Sequence, residues 1–249
     1  MRLDRCLANS GYGSRQEIKK IIRLGLVQVN GVVVEDSGFA VDDHLQDSIV
    51  IDGKPARLRR HIHLMMNKPA GLVTAMDDPR LPTIADLIPP ELRQTGLFPV
   101  GRLDRDATGL LLLTNDGTLG HRLASPRWEV WKTYRVAVEG CPFNDQDPAV
   151  FAAGLVLPDG QVCRPAKLDI LEPHLALLTI HEGKYHQVKR MMLGTGRKVV
   201  ALHRLSVGSL VLDEKLAPGE IRELTMQEQK MLYDSVGWTD VCAAASARS

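Results

Sequence analysis

The sequence predicts an α+β protein in two parts: a small N-terminal domain, then a larger domain on a largely antiparallel, mixed sheet. Three observations predict it. At 249 residues the chain exceeds one minimal core. Residues 1–56 run helix, basic helix, hairpin, strand. Beyond residue 61, short β-type runs outnumber the helices and do not alternate strictly with them. The expected boundaries are a domain over 1–56, a basic linker over 57–61 (Arg57, Arg59, Arg60), a domain over 62–235, and a small, polar, disordered tail over 236–249.

In the first domain, Leu3, Cys6 and Leu7 make a short helical stripe that Asn9-Ser10-Gly11 stops. Ser14 followed by Glu17 has capping-box spacing, which predicts a helix start. Ile18, Ile21, Ile22 and Leu26 then recur at roughly helical spacing, while Arg15, Lys19, Lys20 and Arg23 can share the exposed side, and Gly25 ends the helix. Val27 to Val34 is interrupted by Asn30-Gly31, the pair that supplies the positive φ angles of a type I′ hairpin turn. Ile49-Val50-Ile51 reads as a closing strand.

In the second domain the expected strands are His63–Met66, Gly71–Thr74, Phe98–Leu103, Leu110–Thr114, Thr133–Val138, Leu168–Leu171, Leu175–Ile180 and Val199–Val207. The expected helices are Pro82–Leu87, Thr118–Ala124, Asp147–Gly154 and Tyr185–Leu193.

The apolar and charged fractions, 44% and 24%, suit an ordinary soluble globular protein. The charged start argues against a signal peptide, and no apolar run approaches the length of a membrane span, so a cytoplasmic protein is expected. The four cysteines lack close pairing and read as reduced packing residues, which also weakens a zinc reading. Net charge is +1, yet six Lys/Arg fall within residues 1–30, six acids and no Lys or Arg within 31–52, and six cations without an acid within 183–212. Such segregation can make faces for a polyanion, or it can be chance clustering on solvated surfaces.

Gly101-Arg102-Leu103-Asp104-Arg105-Asp106-Ala107-Thr108-Gly109 stands between the apolar runs Leu97–Val100 and Leu110–Leu113. A short carboxylate held there suits a nucleophile or general base. Taken alone it better suits a polar turn with Asp104 capping an amide. His181 and His186 are five apart around Glu182, with Gly183 breaking the segment, so no metal site is expected. Asp77-Asp78 and Asp42-Asp43 read as solvated turns.

The first domain resembles the small RNA-binding domain shared with a small-subunit ribosomal protein, the S-four-like domain. The match runs through Arg2-Leu3-Asp4, Ser14-Arg15, Gly25-x-Val27-x-Val29-Asn30-Gly31 and Asp47-x-Ile49-x-Ile51. The Gly101–Gly117 segment resembles the central motif of the pseudouridine synthases that share the Arg-Leu-Asp signature. Met66-Asn67-Lys68-Pro69-Ala70-Gly71, Lys132-Thr133-Tyr134 and Glu182-Gly183-Lys184-Tyr185-His186-Gln187-Val188-Lys189-Arg190-Met191 fit the same family in order. The last of these, with Leu202-His203-Arg204, looks most like the RsuA-type subgroup, which modifies one uridine of small-subunit (16S) ribosomal RNA.

The resemblance implies a reaction that breaks the N1–C1′ bond of uridine, turns the base and rejoins it through C5, with no cofactor. It implies Asp104 as the catalytic carboxylate, Tyr134 as the aromatic stacked on the flipped base, and Lys189 as the cation paired with Asp104, with Arg190 as runner-up. Arg102 would hold the substrate open, and Arg190, Lys184, Arg15, Lys19, Lys20 and Arg23 would contact RNA. Read locally, Tyr134 could be a core tyrosine, Lys184, Lys189 and Arg190 a solvated face, and Arg102 a salt-bridge partner of Asp106 or Asp116. The hydroxyl residue often found three positions after the Asp is Ala107 here, with Thr108 next to it. The implied partner is 16S ribosomal RNA in an assembling small subunit, approached by a monomer. A large-subunit (23S) uridine and a non-catalytic assembly factor are the alternatives.

Overall fold

The computed structural model describes residues 1–42, 47–157 and 159–238. In the N-terminal part, α1 (Leu3–Asn9) and α2 (Arg15–Arg23) pack on a four-stranded sheet of β1 (Val27–Val29), β2 (Val32–Val33), β3 (Ile49–Ile51) and β4 (Lys54–Pro55). The Ser14–Glu17 capping box forms with both bonds, Glu17 N–H donating to Ser14 Oγ and Ser14 N–H to Glu17 Oε2. Asn30 and Gly31 take φ of 52° and 81°, so the β1–β2 hairpin turns as predicted. Leu3, Cys6, Leu7, Ile18, Ile22 and Val27 are fully buried together.

The second part is a nine-stranded sheet. Its strands are β5 (His63–Lys68), β6 (Phe98–Pro99), β7 (Thr108–Thr114), β8 (Lys132–Gly140), β9 (Lys167–Glu172), β10 (Leu175–Ile180), β11 (Arg197–Val207), β12 (Leu210–Val211) and β13 (Ile221–Glu223). The main path runs β13-β5-β7-β11-β8-β10-β9, with β6 on β7 and β12 on β11. Every pairing is antiparallel except β7 with β11, which aligns Thr108 with His203 and Gly109 with Arg204. Gly109 takes φ of 99° and a β-carbon there would overlap the Arg204 backbone, so this crossing requires glycine.

Strand alternation divides the core between the two faces. Leu64, Met66, Leu111 and Leu113 face a cluster that includes Phe151 of α4 (Asp147–Ala153) and Met191 and Met192 of α5 (Gln187–Gly194). Met65, Leu110 and Leu112 face the other, with Leu119 and Leu123 of α3 (Gly117–Ala124) and Leu232 and Tyr233 of α6 (Met226–Ser235).

Several expected elements differ. Gly71–Thr74 is a turn with one bridge, Val73 to Thr83, because Gly71 takes φ of 94° and the Thr74 hydroxyl bonds Leu103. The strand expected over Phe98–Leu103 stops at Pro99, and Gly101 turns the chain at φ 72°. Pro82–Leu87 shortens to a 3₁₀ turn, Ile84–Leu87. Helix α6 is not among the expected helices, although Thr225 and Glu228 form a capping box of the same spacing as Ser14 and Glu17. The tail expected from 236 packs through Trp238: Val236 is buried, and the Arg122 guanidinium lies 5.0 Å from the Trp238 ring. The remainder of the tail, with Cys242, and Asp43 of the Asp42-Asp43 pair lie outside the described residues.

The linker bridges the two parts. Arg57 N–H donates to Tyr12 Oη at 2.6 Å, Arg59 N–H to Ser10 Oγ at 2.8 Å, and the Arg59 guanidinium pairs with Glu223 at 2.5 Å.

Candidate active site

Asp104 stands in the loop between β6 and β7, and the loop is held from below. Lys68 ends β5 with its side chain wholly buried. Its ammonium donates to the carbonyls of Pro69, Asp104, Arg105 and Ala107 at 2.9–3.3 Å. Burial lowers the Lys68 pKa to about 8, against the attraction of Asp106 and Asp104. Thr74 adds a second brace, its hydroxyl donating to Leu103 O at 2.7 Å. Leu103 is anchored in the core, so the next residue turns outward.

The Asp104 carboxylate is 25% exposed and meets two side chains from the start of α5, Lys189 within the helix and His186 at its N-cap. Lys189 Nζ lies 3.1 Å from Oδ2, and His186 Nε2 lies 3.5 Å from Oδ1. Lys189 also donates to both oxygens of Asp106, at 2.6 and 2.9 Å. Desolvation works against the Lys189 charge, but the bonds to Asp106 and Asp104 prevail and raise its pKa. The Lys189 bond correspondingly lowers the Asp106 pKa. His186 holds a left-handed φ of 48°, a costly conformation for histidine, and stacks on Tyr185 at 3.8 Å. Tyr185 itself is 77% exposed at the rim.

Asp104 opens on a cleft of about 630 Å³ whose lining includes Arg102, Tyr134, Lys184, His186 and Leu202. That volume suits a nucleotide-sized ligand, within the ~300–1,000 Å³ of typical sites. Tyr134 is 7% exposed, packed in the core cluster while also lining the cleft. The structure thus brings Asp104, Tyr134, Lys189, Arg102 and Lys184 together.

Arg190 is not brought there. Its guanidinium pairs with Asp159 and donates to Gln161 Oε1, so it is not a partner of Asp104. Arg102 is exposed and forms neither of its two possible salt bridges, since Asp106 holds Lys189 and Asp116 caps α3. Lys184 is partly neutralised by Glu182 at 3.4 Å. Ala107 is buried, and the Thr108 hydroxyl turns away to His203 Nδ1 at 2.8 Å. The run of cations over 183–212 is therefore no bare basic face: Arg197 pairs with Asp147 in the core, and Arg204 is buried. On α2, Arg15, Lys20 and Arg23 are exposed and Lys19 half-buried, and none pairs with a carboxylate among the described residues.

Lys68, Asp106 and His186 were missed as site residues in the sequence. The available signal for Lys68 was its place in the Met66–Gly71 motif, and its burial at the end of β5 became visible only in the structure. Asp77-Asp78 is a turn, Asp78 accepting the amides of Arg80 and Leu81.

Residues 62–193, which carry this cleft, match the family model described as RNA pseudouridylate synthase. The chain belongs to the RNA pseudouridylate synthase family. Residues 1–47 match the S4 domain. A Bacillus subtilis relative, the uncharacterized RNA pseudouridine synthase YtzG, is 45% identical, covering 94% of this chain and 99% of its own. The ribosomal small subunit pseudouridine synthase A of Salmonella typhimurium is 41% identical over 92% of this chain and 98% of its own, and that of Escherichia coli K12 is 40% identical with the same coverage. A solved pseudouridylate synthase superposes with a TM-score of 0.66 at 39% identity, covering 93% of this chain and 99% of its own. As a family member the chain is an RNA pseudouridine synthase, an isomerase, with an appended S4 domain for RNA.

Proposed function

We propose that this synthase isomerises a single uridine of 16S ribosomal RNA in an assembling small subunit, with Asp104 as the catalytic carboxylate. The observation that carries the site is the Asp104–Lys189 pair at 3.1 Å on the wall of a nucleotide-sized cleft. The small-subunit target is supported by full-length likeness to the enzymes of that name.

A base inside a helix cannot reach such a cleft, so the uridine is extruded, at a cost least in single-stranded or distorted RNA. Tyr134 offers the stacking face, a contact of ~1–3 kcal/mol per base. Lys189, 3.1 Å from its carboxylate, keeps Asp104 aimed as the N1–C1′ bond breaks and the base turns to rejoin through C5. Arg102 and Lys184 at the cleft, with Arg15, Lys19, Lys20 and Arg23 on α2, supply contacts to phosphates, which position the RNA without reading its sequence. Arg190 serves RNA binding only if it leaves Asp159. The enzyme works on that RNA as a cytoplasmic monomer.

The test is to incubate the protein with 16S RNA, with small-subunit particles stripped of the modification, and with 23S RNA. Pseudouridine is then mapped by chemical adduct and primer extension. One new stop on small-subunit RNA is expected. A stop confined to 23S RNA moves the target, and no stop on either RNA leaves only an assembly factor.

A further inference from the structure

Four cations line the cleft without a carboxylate partner among the described residues: Arg102 and Arg105 are exposed at its rim, and Arg204 and Lys132 stand deeper. Arg204 is 1% exposed; its Nε donates to Leu110 O at 2.7 Å, and its Nη2 has no partner. Lys132 donates to Val130 O at 2.9 Å, which uses one of three ammonium donors. Both positions are tied to Tyr134. Lys132 precedes it by two residues on β8 and so shares its face of the strand, while Arg204 is its cross-strand partner on β11. Burial, then repulsion from Arg204, lowers the Lys132 pKa to about 8.

Two unpaired like charges in a desolvated place are costly, and such arrangements cluster where opposite charge arrives. A phosphate would reach the exposed rim first, where Arg102 and Arg105 stand. Beside Tyr134, what arrives is the base. When the N1–C1′ bond breaks, its electron pair stays on uracil and spreads over N1, O2 and O4. Asp104 meanwhile either bonds C1′ or takes the C2′ proton. The base then turns and C5 bonds C1′, as the Asp104–C1′ ester breaks or as Asp104 returns its proton to C2′; the C5 proton leaves and N1 gains a proton, so composition is unchanged.

We infer that Lys132 is a further catalytic residue, donating to a carbonyl oxygen of the detached uracil anion. Arg204 is a positioning residue, supplying a fixed positive charge behind Tyr134 and Lys132. Preorganised charge of this kind acts only as negative charge develops, so it speeds the reaction without tightening RNA binding. This inference rests on pseudouridine formation in the Asp104 cleft.

The test compares single-turnover conversion and RNA affinity for the parent, Lys132→Met, Lys132→Arg and Arg204→Lys, using 16S and 23S RNA and stripped particles. Lys132→Met should slow conversion ~10²-fold or more, with affinity and its salt dependence unchanged. Lys132→Arg and Arg204→Lys, which keep the charge, should stay within about tenfold of the parent. If Lys132→Met fails to fold, Lys132→Gln is held to the same criterion. Conversion by the neutral variant close to the parent rate overturns the inference alone. So does weakened binding with a shallower salt slope, the mark of a phosphate contact. A parent inactive on every RNA offered removes both this inference and the proposed function.

Discussion

Lys189 Nζ lies between two carboxylates, 3.1 Å from Asp104 Oδ2 and 2.6 Å from Asp106 Oδ1. Asp106 is the more exposed of the two, so the lysine is tethered by an outer acid while it orients an inner one. Lys189→Met should therefore slow turnover by roughly 10²-fold, whereas Asp106→Asn should cost less than about tenfold. Single-turnover rates on a modifiable RNA check the order, and equal losses in the two variants would refute it.

Asp104→Asn should retain RNA affinity and lose turnover by about 10³-fold or more, because an amide replaces neither a nucleophilic nor a basic carboxylate. Filter binding and adduct mapping on one preparation separate the two effects. Activity near the parent level would remove Asp104 from its role.

Lys68→Met should destabilise the fold by about 2–4 kcal/mol, since four carbonyls around the ammonium lose their donor in a buried place. The denaturation midpoint reports it, and an unchanged midpoint would mean that the loop is held by other contacts.

Changing Lys19, Lys20 and Arg23 together to Gln should weaken RNA binding and flatten its salt dependence, with a slope change of about 0.7–0.9 for each phosphate no longer neutralised. Deleting residues 1–55 should act in the same direction. Turnover at saturating RNA should change little, and an unchanged slope would rule out docking through α2.

Glu228 bonds the Arg222 guanidinium and caps α6, which lowers its pKa to about 2. A depressed carboxyl contributes stability above its unfolded pKa, here 4.5, and the contribution is lost as pH falls toward 2. Glu228→Gln should cost on the order of 1 kcal/mol at neutral pH and flatten the acid limb of the stability profile. Thermal melts across pH 2–7 would show it, and parallel profiles for parent and variant would contradict it.

Local pattern alone determined much of this protein. The Ser14–Glu17 box, the Asn30-Gly31 turn and the apolar strand at Leu110–Thr114 each act within a few residues, so they were readable in order. The ordered motifs around Asp104, Tyr134 and Lys189 identified the family for the same reason. Tertiary structure decided which neighbours meet. Lys189 and Arg190 are adjacent in sequence, but successive residues on a helix point about 100° apart. One therefore reaches Asp104 and the other Asp159. Local period does not encode which strand delivers which acid. The same holds for Lys68 beneath the loop and for Arg204 behind Tyr134, where burial and distant chain segments, rather than neighbouring residues, set the chemistry.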